Sequence, residues 1–144
     1  MKKDLKGRLA LDSSTMLELV YSTPAGAKLR QALKTSVVEA KTTEIAITEL
    51  RYILCRKLGP TESESRVEKL LRSGYIEVHE TSKLVKDAST YKCKRNISLA
   101  DCFNMALAQK SFCSALFARR ETEITTETEH NPFDVEILYL EDYL

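Results

Sequence analysis

Four carboxylates stand where an alternating strand and helix sequence would bring them together: Asp12, Glu49, Asp101 and Glu121. Carboxylates that converge on one point repel one another unless a cation neutralises them, and Mg²⁺ or Mn²⁺, hard ions that take oxygen ligands, would do so. One such ion polarises a phosphodiester and lowers the pKa of a bound water; two clamp the attacking and leaving oxygens. That chemistry needs neither histidine nor cysteine, and this chain is poor in both. His79 and His130 are the only histidines, and neither has a second His or a Cys at ligand spacing, which argues against zinc. Cys55, Cys93, Cys102 and Cys113 form no CxxC pair and read as reduced thiols, mostly small core residues; no local signature supports a Cys–His nucleophilic pair.

The elements that must position these carboxylates follow from periodicity and capping signals. Residues 8–11 predict a strand ending at Asp12, then a turn over 12–14 and a helix to about residue 20, with Glu18 three residues after Thr15. Thr23-Pro24 breaks that helix and opens another to about residue 34. Residues 43–47 predict a second strand running into a helix from Thr48, with Leu50, Ile53, Leu54 and Leu58 as its buried stripe and Gly59-Pro60 as its stop. A helix opened by the capping box Thr61-x-x-Glu64 buries Val67, Leu70 and Leu71. Beyond it come a strand at 75–78, a helix at 82–91, a basic link at 92–96 and a strong helix at 99–110, with Leu99, Cys102, Phe103, Ala106 and Leu107 on one face. A buried strand at 112–117, a polar helix at 119–129, a break at Asn131-Pro132 and a last strand at 135–140 complete the chain.

This alternation predicts one α/β domain over residues 1–144, a three-layer sandwich whose central, mainly parallel sheet of four to five strands is covered on both faces. Ligands of such sheets bind at the carboxyl ends of strands, near the topological switch point. Asp12 ends the first strand, Glu49 follows the second, Glu121 follows the strand ending near residue 117, and Asp101 opens the helix before that strand. Each also has a purely structural reading. Asp12 can cap the helix after it, Glu49 can favour a helix dipole in a first turn after Thr48, and Ser98-Leu99-Ala100-Asp101 is a capping box in its own right. Glu121 and Glu123 can be solvated side chains of an acidic first turn. Local capping, however, does not require the four positions to meet at one edge.

With 22 Lys and Arg against 21 Asp and Glu, the chain of 144 residues has a formal net charge of +1. Its 43% hydrophobic share excludes a disordered chain. No run approaches the roughly 18–20 apolar residues of a membrane span, and the basic first residues lack the apolar core of a secretory signal. The expectation is a soluble, cytoplasmic protein. Near-neutrality gives no compositional sign of a nucleic-acid partner, yet basic groups flank the acidic positions: Lys92, Lys94 and Arg95 before the helix of Asp101, Arg119 and Arg120 beside Glu121, and Arg51 and Arg56 on the helix of Glu49. They read either as phosphate contacts or as ordinary solvated bases; Arg119 and Arg120 can equally be partners that hold Glu121. Tyr21, Tyr52 and Tyr91 read as base-stacking platforms or as half-buried core residues. Leu17, Leu19, Val20 and Tyr21, with the helix at 25–34, carry more apolar surface than a lone hairpin needs, which marks a candidate partner surface.

Three segments occur in an order and spacing that resemble the PIN-domain family, closest to its VapC-type toxin ribonucleases. They are Leu9-Ala10-Leu11-Asp12-Ser13-Ser14, Ile47-Thr48-Glu49-Leu50-x-Tyr52-x-Leu54 and Ser98-Leu99-Ala100-Asp101-Cys102-Phe103-x-Met105-Ala106-Leu107-Ala108. The resemblance covers nearly the whole chain and implies a PIN-like sandwich and a Mg²⁺- or Mn²⁺-dependent endoribonuclease acting on RNA. By its pattern Asp12, Glu49 and Asp101 match the first three acidic metal-site residues, and Ser13 or Ser14 matches the small polar residue beside the first. The fourth position departs from the Thr-x-Asp-like segment of many members; here Arg119-Arg120-Glu121-Thr122-Glu123 follows the strand, with Glu121 the best match and Glu123 the next. The resemblance further implies a homodimer and a small cognate antitoxin bound over the active-site groove; position beside the acidic residues makes Ser14, Lys94, Arg95, Arg119 and Arg120 candidate RNA contacts. Two other classes compete. Phosphoryl transfer through an aspartyl-phosphate is opposed by Ser14, where haloacid-dehalogenase-like enzymes place a second Asp. A catalytically degenerate PIN-like scaffold for RNA processing or protein binding is the non-enzymatic alternative.

Overall fold

A computed structural model describes residues 3–144. Its five strands are β1 (Gly7–Leu11), β2 (Val38–Thr43), β3 (Ile76–His79), β4 (Ser114–Phe117) and β5 (Ile137–Tyr139). They form one sheet in the order β3-β2-β1-β4-β5, and every neighbouring pair is parallel. The chain runs outward from β1 to β3, then returns to place β4 on the other side of β1. The switch point therefore lies between β1 and β4, at the strands that precede Asp12 and Glu121.

Alternation along the central strands divides the core into two layers. Leu9, Leu11 and Leu116 pack under α1 (Ser13–Tyr21), α2 (Pro24–Lys34), α3 (Glu44–Leu58) and α4 (Pro60–Arg72). Ala10, Ala115 and Phe117 face α5 (Val85–Lys94), α6 (Leu99–Ser111) and α7 (Thr122–His130). This is the expected sandwich, with apolar residues on both faces of the inner strands as a covered parallel sheet requires. In α6 every residue from Asp101 to Ala108 is buried, so this stretch is enclosed on all sides rather than along one face; Leu99, expected in the core, is exposed, as are Gln109 and Lys110 at the far end. No helix among the described residues is long and apolar enough to cross a membrane.

Several boundaries differ from the sequence reading, each for a local reason. The second strand is Val38–Thr43, not residues 43–47, paired with β1 from Gly7 opposite Val38 to Ala10 opposite Lys41. The β-branched Ile45, Ile47 and Thr48 suit a strand by propensity, but the Thr43 side chain accepts the Ala46 N–H and starts the helix at Glu44. Glu49 thus sits in the second turn of α3, not at a helix start. Gly59, at φ 83°, caps α4 in place of Thr61. A 3-10 turn at Thr81–Lys83 precedes α5, which extends to Lys94, so Lys92 and Lys94 are helical rather than part of a link. Phe112 is a left-handed cap of α6 rather than the start of a strand, and α7 begins at Thr122 with Glu121 extended before it. The last strand shortens to Ile137–Tyr139. Of the cysteines, Cys102 and Cys113 are buried and Cys55 and Cys93 exposed. In the α1–α2 hairpin Leu19 is buried, whereas Tyr21 remains 36% exposed.

Candidate active site

Asp12 leaves β1 in an extended conformation and caps α1, its carboxylate accepting the Thr15 N–H at 3.1 Å. The structural and functional readings of this residue therefore coexist, because a cap uses only part of a carboxylate's acceptor capacity. The Ser14 hydroxyl lies 2.7 and 2.8 Å from the two Asp12 oxygens, donating to that carboxylate, and its oxygen accepts the Ala118 N–H at 3.1 Å. One serine thus stitches the turn after β1 to the segment after β4. On the other side of β1, the buried Thr42 hydroxyl donates to the Leu11 carbonyl at 2.7 Å and locks the carboxyl ends of β1 and β2.

Glu49 approaches from α3, where the Ser13 hydroxyl donates to its Oε1 at 3.1 Å. Asp101 sits in the first turn of α6. Its own N–H is capped by the Ser98 side chain at 3.1 Å, so the serine supplies the cap. Glu121 is the residue before α7 and makes no side-chain capping bond.

The electrostatics identify these residues as one acidic centre. Asp12 is 9% exposed, and burial pushes its carboxyl up to about 7; Ser14 and Thr15 oppose the rise, and the Asp101 and Glu121 charges add to it. Asp101, 8% exposed, is pushed up to about 6 by burial, against the Ser98 hydroxyl, with Glu121, Glu49 and Glu123 raising it further. Burial also raises Glu121, followed by the charges of Glu123 and Glu49. Among the described residues, no lysine or arginine forms an ion pair with any of these five carboxylates. Such a set of unneutralised oxygen donors fits a hard divalent cation. Among the described residues, no three of them are closed on a common point in this conformation.

The flanking bases have varied fates. Arg95 is enclosed: it donates to the carbonyls of Asn131 and Pro132, pairs with Glu127 at 3.4 Å and lies 4.0 Å over the Phe133 ring. Lys92 donates to the Ile97 carbonyl at 2.7 Å. Arg120 pairs with Asp142 and Glu141 and stacks on Tyr139, while Arg119 pairs with Glu18. Neither arginine holds Glu121. Arg51 pairs with Glu64, and Arg56 lies over Tyr52. Lys94 is exposed at the end of α5.

Two residues of the site's frame escaped the sequence reading. Thr42 is one, and its signal is a polar side chain at the buried end of a strand. Asn104 is the other: it is 1% exposed, and its amide donates to the Ala10 carbonyl at 3.3 Å. An asparagine inside an apolar helical run, three residues after Asp101, is a detectable sign of such a role.

The carboxylates, the switch point and the buried α6 together make a candidate site built on acids alone in an α/β fold, and the comparisons with known proteins identify the family of that fold. The PIN domain model matches residues 9–121, and the chain belongs to the PIN domain family. Its fold is similar to Mycobacterium tuberculosis VapC20, described as a sarcin-ricin loop cleaving toxin (TM-score 0.63, 15% identity, covering 82% of this chain and 93% of that one). It is also similar to VapBC2 from Rickettsia felis bound to a promoter DNA fragment (TM-score 0.69, 10% identity, 92% and 99% covered). DNA-bound VapBC from Salmonella typhimurium is a third such structure (TM-score 0.69, 15% identity, 92% and 98% covered). No curated protein matches the sequence significantly.

Proposed function

We propose that this protein is a Mg²⁺- or Mn²⁺-dependent endoribonuclease, the VapC-type toxin of a toxin–antitoxin pair, working in the cytoplasm as a homodimer. One observation carries the reading: Asp12 and Asp101 are buried at the switch point of a PIN fold beside Glu49 and Glu121, and among the described residues no lysine or arginine pairs with them. The toxin and VapBC descriptions of its structural neighbours support RNA as substrate and a small antitoxin as partner.

Asp12, Glu49, Asp101 and Glu121 would hold the ion. When bound, the metal supplies Lewis-acid polarisation of the phosphodiester and a water of lowered pKa. The chain's own residues supply the rest. Ser14 and Thr15 keep the Asp12 carboxylate turned outward from β1, and Ser13 orients Glu49 toward the same turn. Ser98 caps the Asp101 N–H and fixes the first turn of α6, which carries the Asp101 carboxylate. Glu121 closes the centre from the β4 side, with Glu123 behind it.

Asp12→Asn and Asp101→Asn are each expected to abolish RNA cleavage in a protein that stays folded, and EDTA to stop it reversibly. Cleavage at the wild-type rate by either variant would sink the assignment. Glu121→Gln is expected to lower cleavage more than Glu123→Gln. If calorimetry detects no divalent-ion binding, the chain is instead a degenerate scaffold.

A further inference from the structure

Beside the acidic centre, the end of α1, the end of α3 and the segment after β4 enclose a pocket of about 450 Å³, within the roughly 300–1,000 Å³ range of small-ligand sites. We infer that this pocket seats one nucleotide of the RNA next to the scissile phosphate, its base against Tyr21 and its phosphate between Lys57 and Arg119. The inference rests on the ribonuclease reading and names a substrate subsite for it.

The pocket is continuous with the acidic centre, because Ser14 and Glu121 line both. A nucleotide here is therefore adjacent to the phosphodiester that the carboxylates address. Tyr21 is the last residue of α1 and 36% exposed, directly before Ser22, whose left-handed backbone turns the chain away. The Lys57 ammonium lies 5.8 Å from the Tyr21 ring centroid, so aromatic surface and cation stand side by side. Among the described residues, Lys57 pairs with no carboxylate, and its charge is available to a phosphate. Arg119 has a side chain 74% exposed, braced at 3.2 Å by Glu18, which also accepts from the Thr23 hydroxyl. Glu18 and Arg119 offset each other's charge, so among the described residues Lys57 is the unpaired cation of the pocket, while Arg119 still offers guanidinium N–H groups to a phosphate.

This combination suits a nucleotide. Stacking on an aromatic ring accepts any base, because every base has a π-face, and lysine and arginine contact phosphate without reading sequence. An acidic peptide would use the two cations but would have no need of the tyrosine ring. Tyr21 is therefore the discriminating residue.

The test uses the full chain in EDTA, so that binding is read without cleavage. A short single-stranded RNA carrying 2-aminopurine is titrated into the wild type and into Tyr21→Ala, Tyr21→Phe, Lys57→Ala, Lys57→Glu and Arg119→Ala. Tyr21→Ala is expected to weaken binding roughly fivefold to a hundredfold and to remove the stacking quench, while Tyr21→Phe retains both. Lys57→Ala and Arg119→Ala should each lower the slope of log affinity against log salt by about 0.7. If Tyr21→Ala does not fold, the exposed Lys57→Glu decides the matter, with at least a tenfold loss expected. Unchanged affinity and quench in Tyr21→Ala and Lys57→Ala overturn the subsite, as does a wild type that binds no RNA. Loss of hexaglutamate binding with RNA binding intact also overturns it, in favour of an acidic protein partner. The nuclease reading stands or falls separately, on cleavage by Asp12→Asn.

Discussion

Asn104 in α6 donates from its side-chain amide to the backbone carbonyl of Ala10 in β1, at 3.3 Å and across 94 positions of sequence. Ala10 lies two residues before Asp12, and Asn104 three residues after Asp101. The bond therefore ties together the two elements that carry the buried acids, in a region where both partners are shielded from water.

Asn104→Ala is expected to lower unfolding free energy by about 1–3 kcal/mol, because it removes a buried hydrogen bond and leaves the strand carbonyl without this donor. Urea denaturation with an unchanged m-value would measure it. Wild-type stability in this variant would show that the bond does not hold α6 in place.

The acidic centre makes stability depend on pH in a defined direction. Asp12 rises from 3.8 to about 7 and Asp101 from 3.8 to about 6 on folding, so between these limits the folded state binds more protons than the unfolded chain. Metal-free protein should lose stability as pH rises from about 4 through about 7, with no further change from these groups above that. Added Mg²⁺ or Mn²⁺ competes with those protons and is expected to raise Tm more at pH 8 than at pH 5. Thermal melts at both values check this; a metal effect equal at the two pH values would contradict it.

Arg95 looked like an RNA contact by position, but its side chain is only 12% exposed and clamps residues 131–133. Arg95→Ala should cost about 1.5–3 kcal/mol by breaking charge-assisted hydrogen bonds and stranding Glu127. Arg95→Lys should rescue little, since an ammonium cannot reproduce the planar fork. RNA affinity of the folded variant should stay within twofold of wild type, measured below its lowered Tm.

Gly26 permits the close crossing of α1 and α2. A Cβ at this position would lie 1.8 Å from the Glu18 carbonyl oxygen, a backbone atom that cannot swing away. Gly26→Ala should therefore destabilise by about 1–3 kcal/mol or more, against the gain its helix propensity alone predicts. An unchanged or raised Tm would mean that α2 shifts freely.

Much of the fold was readable from local signals. Apolar runs closed by turn residues marked the strands β1, β3 and β4, and their alternation with helices implied the covered parallel sheet. Residues 43–47, predicted as strand, lie instead at the end of β2 and the start of α3. A β-branched stretch is compatible with strand or helix, and the choice was made by one capping hydrogen bond at Thr43 together with pairing of Val38–Thr43 against β1. Neither is expressed in residue type alone.

Asp12 and Asp101 could be singled out as candidates because carboxylates come only from Asp and Glu, and the structure buries both. Sequence order also predicted one edge for them, since parallel strands all point their carboxyl ends the same way. What the chain's order could not express is which charges face which. Arg95 and Arg120 sit beside the acidic positions in sequence yet spend their charges on Glu127, Glu141 and Asp142. Lys57, about two turns beyond Glu49 on α3 and far from Tyr21 along the chain, is brought beside Tyr21 and the centre. Electrostatic pairing acts over a few ångströms in space, and only the packing of helices on the sheet converts distance along the chain into distance between charges.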